Sequence, residues 1–424
     1  MKKIALKPLS DLRSGRMLFI LCFITYSFVV CGRLNYPAVI AKMISEGFLA
    51  KDTAGLAATT FNIAYGCCQF IGGIISDRLP PFGTIFFGIA GAAVMNLAMY
   101  SVMLADAGLP VIVAVWTLNG VIQSIIWPTL IRIVSGALPE KLRVTAGASM
   151  LATTAIGNVF SGFLSSAIMR FTDWKKCFLF PAIVLAVLSA TWFALTRGFS
   201  RRTIVSASEV NSAETQKESK KSTGLFRLLV ISGGIFMLIP IAIMAVVKDG
   251  VSTWAPTIIT ETFSADPVFA TFISTLIPFI SIFGAAIAKL AMDKIFHNEM
   301  KSAAALYGCT VLGLALVLCF GRLNVGLTVF LFSAIIAFLL GVNTLFISLV
   351  PIRFSMYGCT AGVTGVLNSV ACIFGGLSSY LVGVTAEAKG WTFVFVVFVV
   401  LAALAGTVSA LIVRRWSRFR NNGV

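Results

Sequence analysis

Negative charge is scarce in this chain of 424 residues: Asp and Glu number 16 against 33 Lys and Arg, and all four together make up only 12%. With apolar residues at 58% and a mean hydropathy of +0.97, too little charge is present to solvate the outside of a soluble globule. The chain therefore reads as an all-α, multi-pass membrane protein. Histidine occurs once, as His297 in a loop expected on the cytoplasmic side, which excludes His-based metal centres and nucleophile–base pairs. The nine cysteines (Cys22, Cys31, Cys67, Cys68, Cys177, Cys309, Cys319, Cys359 and Cys372) fall within or beside apolar runs with no metal-ligand spacing, and read as small packing residues. HExxH, a nucleophile elbow and a phosphate-cradling glycine loop are all missing. No catalytic residue, metal or cofactor is expected, and the chain is not read as an enzyme. The net charge of +17 lacks the soluble basic face that nucleic acid requires; its expected partner is the lipid bilayer.

What the chain does have is apolar sequence of hydrocarbon-crossing length. A core about 30 Å thick takes roughly 20 apolar residues to cross. Twelve stretches qualify, near 17–40, 53–76, 84–106, 110–135, 144–169, 176–196, 228–258, 267–292, 302–321, 325–350, 359–386 and 391–413. Lys and Arg concentrate in the alternate loops that share a side with both ends, which predicts cytoplasmic termini in a cell (inner) membrane. The opening MKKIALKPLSDLRSGR reads as a basic cytoplasmic tail, because no small-residue cleavage site follows it.

Residues 197–224, RGFSRRTIVSASEVNSAETQKESKKSTG, are polar, Ser-rich and basic, and are expected to form a flexible cytoplasmic linker. This divides the chain into an N-terminal six-helix bundle over 1–196 and a C-terminal six-helix bundle over 225–424. The halves match at an offset of about 215 residues. Arg33 falls on Lys248, Asp77-Arg78 falls one residue late on Asp293-Lys294, and Thr145-Ala146-Gly147 falls on Thr360-Ala361-Gly362. Six spans per half give both halves one orientation, so a parallel repeat about an axis along the membrane normal is expected.

Arg33 and Lys248 stand out within that repeat, because each lies inside an apolar span. A cation there costs several kcal/mol unless it faces a wet cavity or a partner, and so marks a functional site by default. Two at equivalent places suggest one anion gripped from both sides. Tyr26 precedes Arg33 by two helical turns on one face, and Asn62, Tyr65 and Gln69 make a polar stripe on the second span. Tyr65, Gln69 and Asn368 are expected to line the cavity. Asn119 and Gln123 on the fourth span are expected to hydrogen-bond between helices instead. Asp249 reads either as a proton-coupling carboxylate or as a charge partner for Lys248, and the sequence leaves both open.

The Asp-basic pair that closes FIGGIISDR, echoed more loosely by AKLAMDK, resembles the loop motif of the major facilitator superfamily, whose twelve spans also run six plus six around a central loop. The resemblance implies a latch on the inner gate carried by Asp77, Arg78 and Asp293. AYGCCQFIGGIISDR, NGVIQSIIWPTLIR and KDGVSTWAPT are further similar to segments of the organophosphate:phosphate antiporters, the group that includes glycerol-3-phosphate transporters. In that group an Arg in helix 1 and an Arg in helix 7 hold the substrate phosphate, helped by tyrosines, a helix-2 Lys and a helix-5 His. Arg33, Tyr26 and Tyr65 match. The second Arg aligns with Lys248, the helix-2 Lys with Gln69 and the helix-5 His with Thr154. Exchanging a planar fork for a point charge, with up to two more cations gone, favours a monoanion over a dianionic phosphate ester.

The expectation is a monomeric secondary active transporter that moves a small organic anion by alternating access, with antiport against a counter-anion and proton symport both open. The alternatives are an efflux pump for amphipathic compounds, whose cavity would tolerate loss of either cation, and a membrane sensor that keeps the fold without transporting.

Overall fold

A computed structural model describes residues 5–76, 79–150, 152–205, 225–354 and 360–422. Ten stretches of helix among them are long and apolar enough to cross a membrane. One lies within α17 (Thr360–Asn422), which Gly390 breaks with φ 76° and ψ 171°, a conformation glycine tolerates, so two crossings lie either side of it. The helix α2 (Lys51–Ser76) has 26 residues and is a further element of spanning length. Each of the twelve expected crossings thereby finds a helix.

The first half of the chain contributes α1 (Leu12–Ser45), α2, α3 (Pro81–Leu104), α4 (Leu109–Ser124), α5 (Ile126–Ala137), α6 (Glu140–Met150), α7 (Ala152–Phe171) and α8 (Lys176–Thr203). Proline explains the breaks. Pro128 lacks the N–H that would bond the Ser124 carbonyl, and the fourth span divides there into α4 and α5. The second half contributes α9 (Leu225–Ser232) and α10 (Gly234–Phe263), separated by Gly233 at φ 79°. It continues with α11 (Pro267–Ser274), α12 (Leu276–Ser281), α13 (Gly284–Leu290), a π-helical turn Ala291–Phe296 and α14 (Glu299–Phe320). Pro278 separates α11 from α12 as Pro128 separates α4 from α5. α15 (Val325–Asn343), a second π-helical turn Thr344–Leu349, α16 (Val350–Ile352) and α17 complete it.

Helix starts outside the apolar runs are capped by side chains. Asp11 accepts from the Arg13 and Ser14 amides at 3.0 Å each, and those donors hold its carboxyl below the usual range. Asn298 does the same for Met300 and Lys301 at the head of α14.

Residue contacts gather the chain into two compact units, Met1–Val39 with Thr60–Ser219, and Ile40–Thr59 with Lys220–Val424. In the first, α3 packs along α8, where buried Trp192 donates to the Phe82 carbonyl at 2.9 Å. A two-residue antiparallel ladder pairs β1 (Ala5–Leu6) with β2 (Ile204–Val205) and ties the tail to the end of α8. α8 runs on through Thr203, so the expected linker begins as helix; its residues 206–224 lie outside the described residues.

In the second unit α10 and α14 pack against α17, with Trp254, Tyr307, Phe332 and Trp416 wholly buried. Segment Ile40–Thr59 joins this unit through specific contacts. Thr59 donates to the Gly376 carbonyl at 2.7 Å and accepts from the Tyr380 amide at 2.9 Å, while a Cβ at Gly55 would overlap the Ser379 carbonyl. Lys51 pairs with Glu261 at 2.9 Å, and Trp391 donates to the same carboxylate at 2.8 Å.

Candidate functional site

Arg33 is held in place from behind. The carbonyl of its neighbour Gly32 accepts three side-chain amides, from Asn96 at 2.9 Å, Asn119 at 3.1 Å and Gln123 at 2.9 Å. Asn35 donates to Asn96 and to the Cys177 carbonyl, each at 2.9 Å, so α1, α3, α4 and α8 meet in one buried amide knot. Gly32 itself is required for the approach, because a Cβ there would overlap Leu185. The amide N–H groups find partners within the knot and so fix the rotation of α1, while the Asn35 Oδ1 and Gln123 Oε1 oxygens are left without one among the described residues. Asn119 and Gln123 thus play the interhelical part expected of them; Asn35 and Asn96 are additions that sequence reading missed, although a lone Asn inside a span is itself a signal.

With α1 so oriented, Arg33 meets tyrosines. Its guanidinium donates to the Tyr26 hydroxyl at 3.3 Å, and its central carbon lies 5.0 Å from the Tyr65 ring centroid and 5.6 Å from that of Tyr26. The two phenol oxygens are 3.3 Å apart. Tyr26 packs on Trp127 with centroids 4.6 Å apart, and Tyr65 stacks on Phe61. These are cation–π and neutral hydrogen-bond contacts, and no carboxylate pairs with Arg33 among the described residues. A positive charge is therefore presented, half-buried, without a carboxylate partner among the described residues.

Lys248 differs. On α10 its ammonium pairs with Asp249 at 2.5 Å, and both side chains are partly exposed. The Asp249 carboxylate in turn lies against Gly375 of α17, where a Cβ would overlap it. Arg33 and Lys248 fall in different units, as do the tyrosines and Asp249. Gln69 and Asn368 are half-buried, and among the described residues neither has a hydrogen-bonding side-chain partner.

Asp77 and Arg78, expected at the inner gate, lie outside the described residues. Asp293 is exposed in the π-helical turn. An ion cluster of the second unit escaped sequence reading. Glu299, wholly buried at the start of α14, accepts from Arg353 at 2.8 Å and from the Trp416 indole at 2.9 Å, with Arg420 at 3.8 Å.

Asn96→Ala is expected to lower stability by about 1–2 kcal/mol, because it takes the acceptor from one buried Asn35 N–H and one of the three donors from the Gly32 carbonyl. Thermal unfolding in detergent checks this against Ser101→Ala, whose exposed hydroxyl bonds only within its own helix; equal melting temperatures for the two would argue against the knot.

The chain is 25% identical over 302 residues to a glycerol-3-phosphate transporter of Bacillus subtilis, covering 68% of this chain and 67% of the relative. It is 22% identical over 417 residues to a probable hexose phosphate transport protein of Chlamydia pneumoniae, covering 92% and 89%. Among solved structures, a bacterial homologue of the human lysosomal transporter Spinster, inward-facing and unoccupied, superposes with a TM-score of 0.75 at 13% identity over 98% of this chain and 100% of that one. The sequence profile of the Major Facilitator Superfamily matches residues 17–376, most of the chain, and this protein belongs to that family.

Proposed function

We propose that this protein is a secondary transporter that carries a small organic anion across a cell (inner) membrane by alternating access, with both termini in the cytoplasm. The observation that supports it most is the half-buried Arg33, held by phenols and aromatic faces and lacking a carboxylate partner among the described residues. Such a cation is costly in a span until an anion reaches it. Tyr26 and Tyr65 would orient the anion, and Lys248, with Asp249 beside it, would offer a further hydrogen-bond donor. Gln69 and Asn368 would offer neutral hydrogen bonds to the rest of the substrate. The phosphate-ester cargo in the names of the two relatives agrees with an anion, and Asp77, Arg78 and Asp293 would act in the inner gate.

The test is a thermal-shift series on purified protein, since a ligand that binds the folded state raises the melting temperature. Organic phosphates, sugar acids and short carboxylates are set against neutral sugars and amphipathic cations. Stabilisation confined to anions is the expected result. Stabilisation by amphipathic cations alone would replace this reading with efflux.

A further inference from the structure

The two cations matched by the internal repeat are not electrostatically alike. Arg33 is surrounded by neutral groups, whereas Lys248 already has an anion, the carboxylate next to it in sequence. That carboxylate is accommodated by the packing around it. α17 approaches α10 at Gly375, where any larger residue would occupy the volume of the Asp249 carboxylate, and Gly250, the next residue on α10, lies under Phe398. The Lys248 and Asp249 side chains stay 23% and 34% exposed, so this packing does not seal the pair.

We infer that Asp249 is a built-in counter-anion for Lys248 and thereby sets the charge of the transported anion. With the pair closed, Lys248 presents no net positive charge to an anion. A dianionic phosphate ester brought to this pair would meet Asp249 as a like charge in a poorly screened setting, whereas a singly charged carboxylate or sulfate ester would meet less of that repulsion. The inference rests on the proposed anion-transport function and deepens it, by assigning the selection between anion classes to one residue.

The experiment compares glycerol 3-sulfate and glycerol 3-phosphate, which share a skeleton and carry one and two negative charges at about pH 8. Equilibrium binding is measured on the purified full chain as wild type, Asp249→Asn and Lys248→Gln/Asp249→Asn. Wild type is expected to favour the sulfate. Asp249→Asn, which leaves Lys248 unpaired, is expected to shift the ratio tenfold or more toward the phosphate, and the double variant should lose that gain. An unshifted ratio in Asp249→Asn, or a gain that persists without Lys248, overturns the inference. Should Asp249→Asn fail to fold, the wild-type ratio decides, and tighter binding of the phosphate than of the sulfate overturns it. Wild-type protein that binds neither ester nor any anion of the thermal series removes the transport reading and this inference together. Binding that depends on Arg33 with a ratio indifferent to Asp249 removes this inference alone.

Discussion

Arg33→Gln is expected to weaken anion binding by a hundredfold or more. Truncating one partner of a desolvated charge contact costs about 2–5 kcal/mol, and each tenfold in affinity is about 1.4 kcal/mol. The glutamine keeps a polar, hydrogen-bonding side chain but removes the charge, and Arg33→Lys separates the effect of charge from that of shape. Arg33→Lys keeps the charge and loses the planar fork that fits two oxygens, and an intermediate loss of about tenfold is expected. Tyr65→Phe retains the aromatic face over which the guanidinium lies and should cost least of the three. Direct binding of a labelled anion to purified protein orders these variants. Near-wild-type affinity in Arg33→Gln would undo the assignment of this residue as the anion ligand.

The largest effect on stability is expected at the other end of the second unit, and it is asymmetric. Glu299 is wholly buried, whereas the side chains of Arg353 and Arg420 remain 40% and 27% exposed. Arg353→Ala strands a buried carboxylate on the Trp416 indole and a more distant guanidinium, which should cost about 3–5 kcal/mol. Glu299→Gln removes the charge that needed pairing and leaves two cations that water can reach, so it should cost less than half as much. The double variant Glu299→Met with Arg353→Met should recover much of the loss of Arg353→Ala, as apolar replacements of buried pairs often do. Thermal unfolding of the four proteins provides the comparison, and a costlier Glu299→Gln than Arg353→Ala would mean that the carboxylate itself, not its neutralisation, holds this end together.

Much of the architecture could be read before any coordinates, because a bilayer demands runs of apolar residues long enough to count, and these occur twelve times. The Tyr26–Arg33 pairing was equally legible: seven residues is two turns, and the hydroxyl and guanidinium do meet. Helix breaks were not placed from the sequence, although Pro128 and Pro278 carry them, since proline within a span is tolerated as often as it interrupts. The three amides on Gly32 were half visible. Their donors can be named from the sequence, but an accepting carbonyl leaves no signature in residue type. Glu299 was overlooked because a carboxylate near a span's end looks like any interfacial charge until its burial is known. The orientation of Asp249 could not be foreseen, since adjacent helical residues point about 100° apart and only the approach of Gly375 shows which way its carboxylate lies.

The single-residue break at Gly390 leaves the last two crossings with no slack. From Gly375 to Lys389 the chain is uninterrupted helix, about 21 Å of stiff rod. Immediately beyond the turn, Trp391 is fastened to the same Glu261 carboxylate that holds Lys51. A longer connection would absorb an axial displacement; this one passes it on. An axial displacement of Gly375 would therefore be carried along the rod to the indole of Trp391 and the Lys51 clasp at its far end, about 21 Å away.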